Sequence, residues 1–189
     1  MSWPLIGYMP KRRATRAHWA SPYPEYPDAE FPVPPPIEEI CSVSGCIAKA
    51  PALDMDGNPI IEMFCYPSTA SARLAVATAE KQRFDLFAYR LAPVRFADGQ
   101  AMVLTIPPLE VETMPASFER LGYDAVELSD DWSFGCSPLS CNGQTDAALV
   151  NRYCLVATEK EGLALACAFS LAKPEPGPFC AVEVWREAR

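Results

Sequence analysis

Apolar and polar residues alternate most clearly over Phe84–Phe96 (FDLFAYRLAPVRF), which reads as a strand. Pro93 falls inside it and marks an edge, a bulge or a break. Asp98-Gly99 is a turn signal, and Ala101–Ile106 (AMVLTI) reads as a second strand, so a hairpin is expected. Shorter strand patterns occur at Ile60–Tyr66, Tyr123–Leu128, Arg152–Ala157 and Phe179–Trp185. In the last of these Phe179, Ala181, Glu183 and Trp185 share one face, and Cys180, Val182 and Val184 share the other.

Helical patterns are fewer. The Ala-rich run Ser68–Gln82 predicts one helix. Thr158-Glu159-Lys160-Glu161 is a capping box and opens a second, with Leu163, Ala166, Cys167, Ser170 and Leu171 on one face and its end before Pro174. Pro115–Leu121 reads as a short helix stopped by Gly122, and Ile37–Ile47 as a helical turn closing at Gly45. Strands and helices do not interleave regularly. The expected fold is therefore a single α+β domain, with a mixed or mainly antiparallel sheet of about six strands and two main helices. No internal repeat is read beyond a paired cysteine spacing.

Proline changes the picture at the N-terminus. Residues 1–36 hold nine of the 20 prolines, yet also Trp3, Tyr8, Trp19, Tyr23, Tyr26 and Phe31. Proline at that density excludes a helix or a central strand, and linkers are poor in aromatics. Residues 1–36 are expected to be an extended Pro/aromatic-rich arm lying on the domain or on a partner. Residues 37–189 form the domain, with a long loop at 130–151.

Composition removes several chemistries. The chain has 189 residues, 50% hydrophobic content and one histidine, His18. Sites built on two or three histidines are excluded, and a Ser-His-Asp or Cys-His hydrolase would need the arm to fold back. A net charge of −8 argues against nucleic acid, despite the basic run Lys11, Arg12, Arg13 and Arg16, which reads as a solvated terminal segment. No stretch approaches the roughly 18 apolar residues of a membrane span. The opening MSWPLIGYMPKRR lacks the order of a secretory leader, so a cytoplasmic protein is expected.

Eight cysteines in a reducing compartment are thiols or metal ligands rather than disulfides. Cys41-SVSG-Cys46 and Cys136-SPLS-Cys141 share the spacing C-x4-C among small residues. Together they could form a four-thiolate zinc site stapling the 130–151 loop, although the usual knuckle is C-x2-C. The remaining cysteines sit in apolar patterns, as core filler does.

Glu110-Val111-Glu112 sets two carboxylates on one face of an extended segment, where they can divide acid and base roles. The pair resembles the E-x-E element of arginine-type ADP-ribosyltransferases, which implies a transferase with a strand arginine, here Arg90. That family places its arginine before a Ser-Thr-Ser strand, whereas Arg90 follows Ser68-Thr69-Ala70. The leading expectation is instead a non-enzymatic, acidic, cysteine-rich module without a cofactor. It would bind a macromolecular protein partner, plausibly a basic one, through Trp19, Tyr23, Tyr26 and Trp132 as aromatic anchors.

Overall fold

A computed structural model describes residues 2–12, 14–15, 37–43, 65–77, 84–106, 109–130, 132–141 and 149–188. Strand β1 (Leu5–Arg12) pairs with β4 (Phe84–Ala97), β4 with β7 (Phe179–Glu187), and β7 with β6 (Phe118–Glu127). Strand β5 (Gln100–Val103) returns along the far half of β4. All these pairings are antiparallel. A separate two-residue pairing joins β2 (Ala14–Thr15) to β3 (Glu39–Ile40). Helices α1 (Thr69–Ala77) and α3 (Glu159–Ala172) carry the helical content, with the one-turn α2 (Pro138–Cys141) between them. The result is a single α+β domain with an antiparallel sheet.

Most predicted elements fall where the pattern put them. Pro93 sits at a bulge, where β4 shifts register against β7 between Leu91 and Arg95. Asp98 and Gly99 both take positive φ, 49° and 76°, as a two-residue hairpin turn demands. Thr158 caps α3 and Glu161 reaches back to the Thr158 N–H, a complete capping box.

Three elements differ. Phe118 to Leu121 is strand rather than helix, because Phe118, Glu119 and Arg120 pair in turn with Glu187, Arg186 and Trp185 of β7 and that pairing overrides the local helical reading. Arg152–Ala157 is a curled segment in which Asn151 Oδ1 accepts from the N–H groups of Tyr153 and Leu155, and only Val156 bridges to the sheet. Residues 37–43 run extended, their N–H groups on the carbonyls of Arg152 and Tyr153. The buried stripe of α3 is also rotated from expectation to Gly162, Ala166, Phe169 and Ser170, leaving Leu171 63% exposed.

The N-terminal prolines belong partly to the sheet. β1 is an outer strand, where Pro10 is tolerated. Lys11 is not a solvated charge: it is 1% exposed and donates to the carbonyls of Ser42 and Val43.

The fold contains an internal two-fold repeat. Gly7 faces Tyr89 on β4 as Gly122 faces Val184 on β7. Tyr8 faces Ala88 as Tyr123 faces Glu183, Leu5 faces Arg90 as Arg120 faces Trp185, and Arg12 faces Phe84 as Glu127 faces Phe179. The ladder β1–β4 therefore repeats as β6–β7. Since β4 and β7 are antiparallel neighbours, the halves are related by an axis normal to the sheet, through the facing pair Tyr89 and Val184.

The repeat extends beyond the strands. Tyr8 exchanges backbone hydrogen bonds with Tyr66, and Tyr123 does so with Val156. Ser68 and Thr158 cap the two helices by accepting from Ser71 and Glu161. Trp3 stands edge-on to Tyr123 at 5.4 Å, and Phe118 edge-on to Tyr8 at 5.7 Å. Cys41 and Cys136 follow β1 and β6 in the same order, each next to a serine that reaches Asp124.

Each outer strand carries a bulge beside its glycine, between Leu5 and Gly7 and between Arg120 and Gly122. Gly122 has φ +150°, and a Cβ there would lie 2.7 Å from the Val156 carbonyl oxygen. Only glycine meets both demands. Gly122→Ala should lower unfolding stability by about 2 kcal/mol or more, from strain and overpacking. A urea midpoint within error of wild type would contradict this placement.

Candidate functional site

One face of the sheet is covered by α1 and α3. Gly162 and Ala166 on α3 let the helix settle on small residues, since a Cβ on Gly162 would lie 3.0 Å from Tyr123 Cβ and 3.6 Å from Ala181 Cβ. Ala92, Ala125 and Ala181 are fully buried in this cluster. Ala72 of α1 packs with Tyr8, Leu86 and Ala88 in another. Between the two helices the sheet carries charge. Arg90 on β4, Glu183 on β7 and Tyr123 on β6 stand in one row, with Trp185 and Arg120 in the next.

The polar groups form a loose chain. Arg120 Nη1 donates to Tyr123 Oη at 3.2 Å, and Tyr123 Oη donates to Glu183 Oε1 at 3.1 Å. Glu183 is buried, with its side chain 10% exposed. Arg90 Nε stands 4.0 Å from Glu183 Oε2, and Arg120 Nη1 3.7 Å from Oε1. Both distances exceed the roughly 2.7–2.9 Å of a charge-assisted hydrogen bond. The arginines are held by aromatic faces instead, Arg90 over Trp185 at 5.6 Å and Arg120 over Tyr123 at 5.7 Å.

Among the described residues three buried side-chain polar atoms lack a hydrogen-bond partner, and two of them are here: Arg90 Nε and Trp185 Nε1. Native interiors rarely leave donors unmatched, so such a pair points to function. The strip opens to solvent through the arginines, with the Arg120 side chain 51% exposed and that of Arg90 25%, while the two unmatched donors themselves lie beneath the surface. Burial, then the Glu183 charge, holds the Tyr123 hydroxyl above its ordinary range, so it remains a donor.

The opposite face is closed by residues 37–43 and 132–141. Ser42 Oγ and Ser137 Oγ, in corresponding positions of the two halves, both donate to the Asp124 carboxylate, at 2.5 and 2.7 Å. Burial raises the Asp124 pKa, opposed by those two serines. Arg186 Nη1 donates to Glu39 Oε1 at 2.8 Å, pinning residues 37–43 to β7. The thiols here are inert: burial pushes Cys65 and Cys154 up to about 12, and raises Cys41 and Cys180 strongly as well.

The residues singled out from sequence are scattered over the fold. Arg90 lies in the strip. Glu110 and Glu112 are exposed, with Val111 turned inward against the α1 cluster. The Glu112 carboxylate accepts the Thr69 N–H at the start of α1, and its carbonyl accepts the Tyr8 hydroxyl. No hydrogen bond or ion pair links either glutamate to Arg90 among the described residues. Trp132 is half-buried against the core on the Asp124 side. Trp19, Tyr23, Tyr26, Cys46 and the side chain of Cys141 lie outside the described residues. Cys41 donates weakly to Glu39, Cys136 is half-buried, and no group of three metal ligands occurs among the described residues. No helix among them is long and apolar enough to cross a membrane.

No family model, curated protein or solved structure matches this chain. Its site is therefore defined by its own chemistry. Sequence reading missed Arg120, Glu183, Tyr123 and Trp185 as a group. One signal was available, a glutamate sharing a face with Phe179, Ala181 and Trp185 on an otherwise apolar strand.

The thiol environments give a direct prediction. At neutral pH Cys136 and Cys167 should react with a thiol reagent in the folded protein, while Cys41, Cys65, Cys154 and Cys180 react only after denaturation. An acid with a raised folded pKa keeps its proton better when folded, so unfolding releases protons above its unfolded value. Stability should then be lost as pH rises from about 9 towards 12, the interval set by Cys65 and Cys154. Peptide mapping and urea midpoints across that range check both, and a flat alkaline limb would refute the second.

Proposed function

We propose that this protein is a non-catalytic binding module for a macromolecular partner, and that the strip between α1 and α3 is its recognition centre. The observation supporting this is the pair of orphaned donors, Arg90 Nε and Trp185 Nε1, beside two arginines that share one carboxylate. An unmatched buried donor costs about 1–3 kcal/mol, and an acceptor brought by a partner removes that cost. Trp185 and Tyr123 lie against the two arginines and Trp3 stands edge-on to Tyr123, the mixture of aromatic wall and few polar groups that ligand sites use.

The chemistry within reach favours binding over turnover. The described buried thiols are held protonated, and Glu183 already accepts from Tyr123. The net charge of −8 favours approach of a partner that is basic overall, while the strip holds the partner's anchoring group.

The test compares immobilised wild-type protein with Arg120→Gln, which removes the charge at a half-exposed position without setting a second carboxylate beside Glu183, both held well below the melting temperature of the less stable one. Extract of the source cells is passed over both and bound proteins are quantified. At least one species should be depleted about tenfold or more on the variant, the scale of a lost interface arginine. Identical bound sets would overturn the reading.

A further inference from the structure

We infer that the group captured in the strip is a single carboxylate, presented by an acidic side chain or a chain terminus of the partner. The inference rests on the binding reading above and adds the ligand's chemical class.

Donors outnumber acceptors in the strip. Arg90 makes no hydrogen bond, Trp185 Nε1 makes none, and Arg120 makes one, to Tyr123. Glu183 is the one carboxylate among them. It accepts from Tyr123 on Oε1 and stands beyond bonding distance of both guanidinium groups. A ligand that completes the strip brings acceptor oxygens, and beside two guanidinium groups an oxyanion is the acceptor that charge favours over a neutral carbonyl.

Charge selects among oxyanions. Two arginines and one glutamate leave a local charge of about +1, since guanidinium stays protonated. A carboxylate brings this to zero. A phosphate dianion would overshoot and stand beside Glu183, whose repulsion is strong where water is scarce. Shape agrees. Arg90 and Arg120 lie over aromatic rings, 5.6 and 5.7 Å from the centroids, so their planes are held. A fixed guanidinium edge matches the two oxygens of a planar carboxylate. Trp185 Nε1 is a further donor in the same strip, and Arg120 is the side from which the group enters.

Glu183 is then an internal competitor. It occupies the arginine pair loosely in the free protein and weakens the hold on an incoming carboxylate. Few structural roles predict a gain on removing a buried carboxylate, so this consequence is diagnostic.

The experiment uses the full chain with isotope-labelled arginine and tryptophan side chains, observed by NMR. The probes are N-acetylglycine, carrying a terminal carboxylate; N-acetylglutamic acid α-amide, carrying a side-chain carboxylate; inorganic phosphate; and neutral acetamide. Saturable movement of the Arg90 Nε–H and Trp185 Nε1–H signals with either carboxylate supports the inference. The stronger of the two identifies the source. Acetamide should move neither signal, and phosphate should bind more weakly than the better carboxylate. Arg120→Gln should weaken carboxylate binding roughly tenfold, and Glu183→Gln should tighten it roughly tenfold.

Unmoved signals, phosphate binding tighter than both carboxylates, or a Glu183→Gln variant that folds and binds no better would each overturn it. Should Glu183→Gln unfold, the Arg120→Gln titration decides alone. Failure here with Arg120-dependent partner capture intact discards the carboxylate and keeps the binding module. Loss of Arg120-dependent capture discards the module itself.

Discussion

Two glycines at one level of the sheet set most of this structure. Gly7 on β1 and Gly122 on β6 both lie in the row that contains Tyr89 and Val184, and both take φ values closed to side chains, +140° and +150°. Each sits beside a bulge. A regular strand sends residues three apart to opposite faces. The bulge cancels that, so Arg120 and Tyr123 share a face, as Leu5 and Tyr8 do. The same glycines leave room for the chain at 65–66 and at 155–156 to close on the sheet, and those segments lead directly into α1 and α3. Helix position and site composition follow from one backbone choice made twice.

The two-fold repeat explains why the site is where it is. Identical halves would place like residues about the axis, and like charges there would repel. The halves agree at the scaffold positions, Gly7 with Gly122, Tyr8 with Tyr123 and Phe84 with Phe179. They differ where the strands meet between the helices. Ala88 corresponds to Glu183, Arg90 to Trp185, and Leu5 to Arg120. Divergence therefore puts a carboxylate from one half between arginines of both halves, with the indole of the second half beneath the arginine of the first. Neither half contains the site alone.

Much of this was legible in the sequence, and the failures have physical causes. Local signals held wherever one rule decided the outcome: the Asp98-Gly99 turn, the Thr158 cap, Pro93 at a bulge, the alternation of β7. They failed where tertiary pairing overrode spacing. Pro115–Leu121 looks helical because Gly122 reads as a helix stop, whereas that glycine sits beside a bulge in a strand paired with β7. Lys11 looks solvated because its acceptors, the carbonyls of Ser42 and Val43, come from a distant segment. The repeat was hidden because it lives in strand register, and the two ladders share few residue types. Glu183 was placed on the correct face, but its significance depends on Arg120, and the bulge that brings Arg120 there follows no periodicity.

The two faces of the sheet treat buried charge in opposite ways, and that contrast separates structure from function. On the face closed by residues 37–43 and 132–141, Asp124 accepts from Ser42, Ser137 and the Ala125 N–H, and Glu39 is met by Arg186. Among the described residues of this face only the Tyr89 hydroxyl, at the axis, is left without a hydrogen-bond partner. Such pairing fixes the segments to the sheet, and breaking one partner of it is costly. On the helix-covered face the arginines stop short of Glu183, although a small shift of long side chains could close the gap. Their guanidinium groups rest on Trp185 and Tyr123 instead. A purely structural ion pair would have collapsed to contact, because contact is where a desolvated pair recovers its cost. An open arrangement is stable only if the aromatic stacking is worth as much as the missing bonds, and among the described residues it leaves two donors without a hydrogen-bond acceptor.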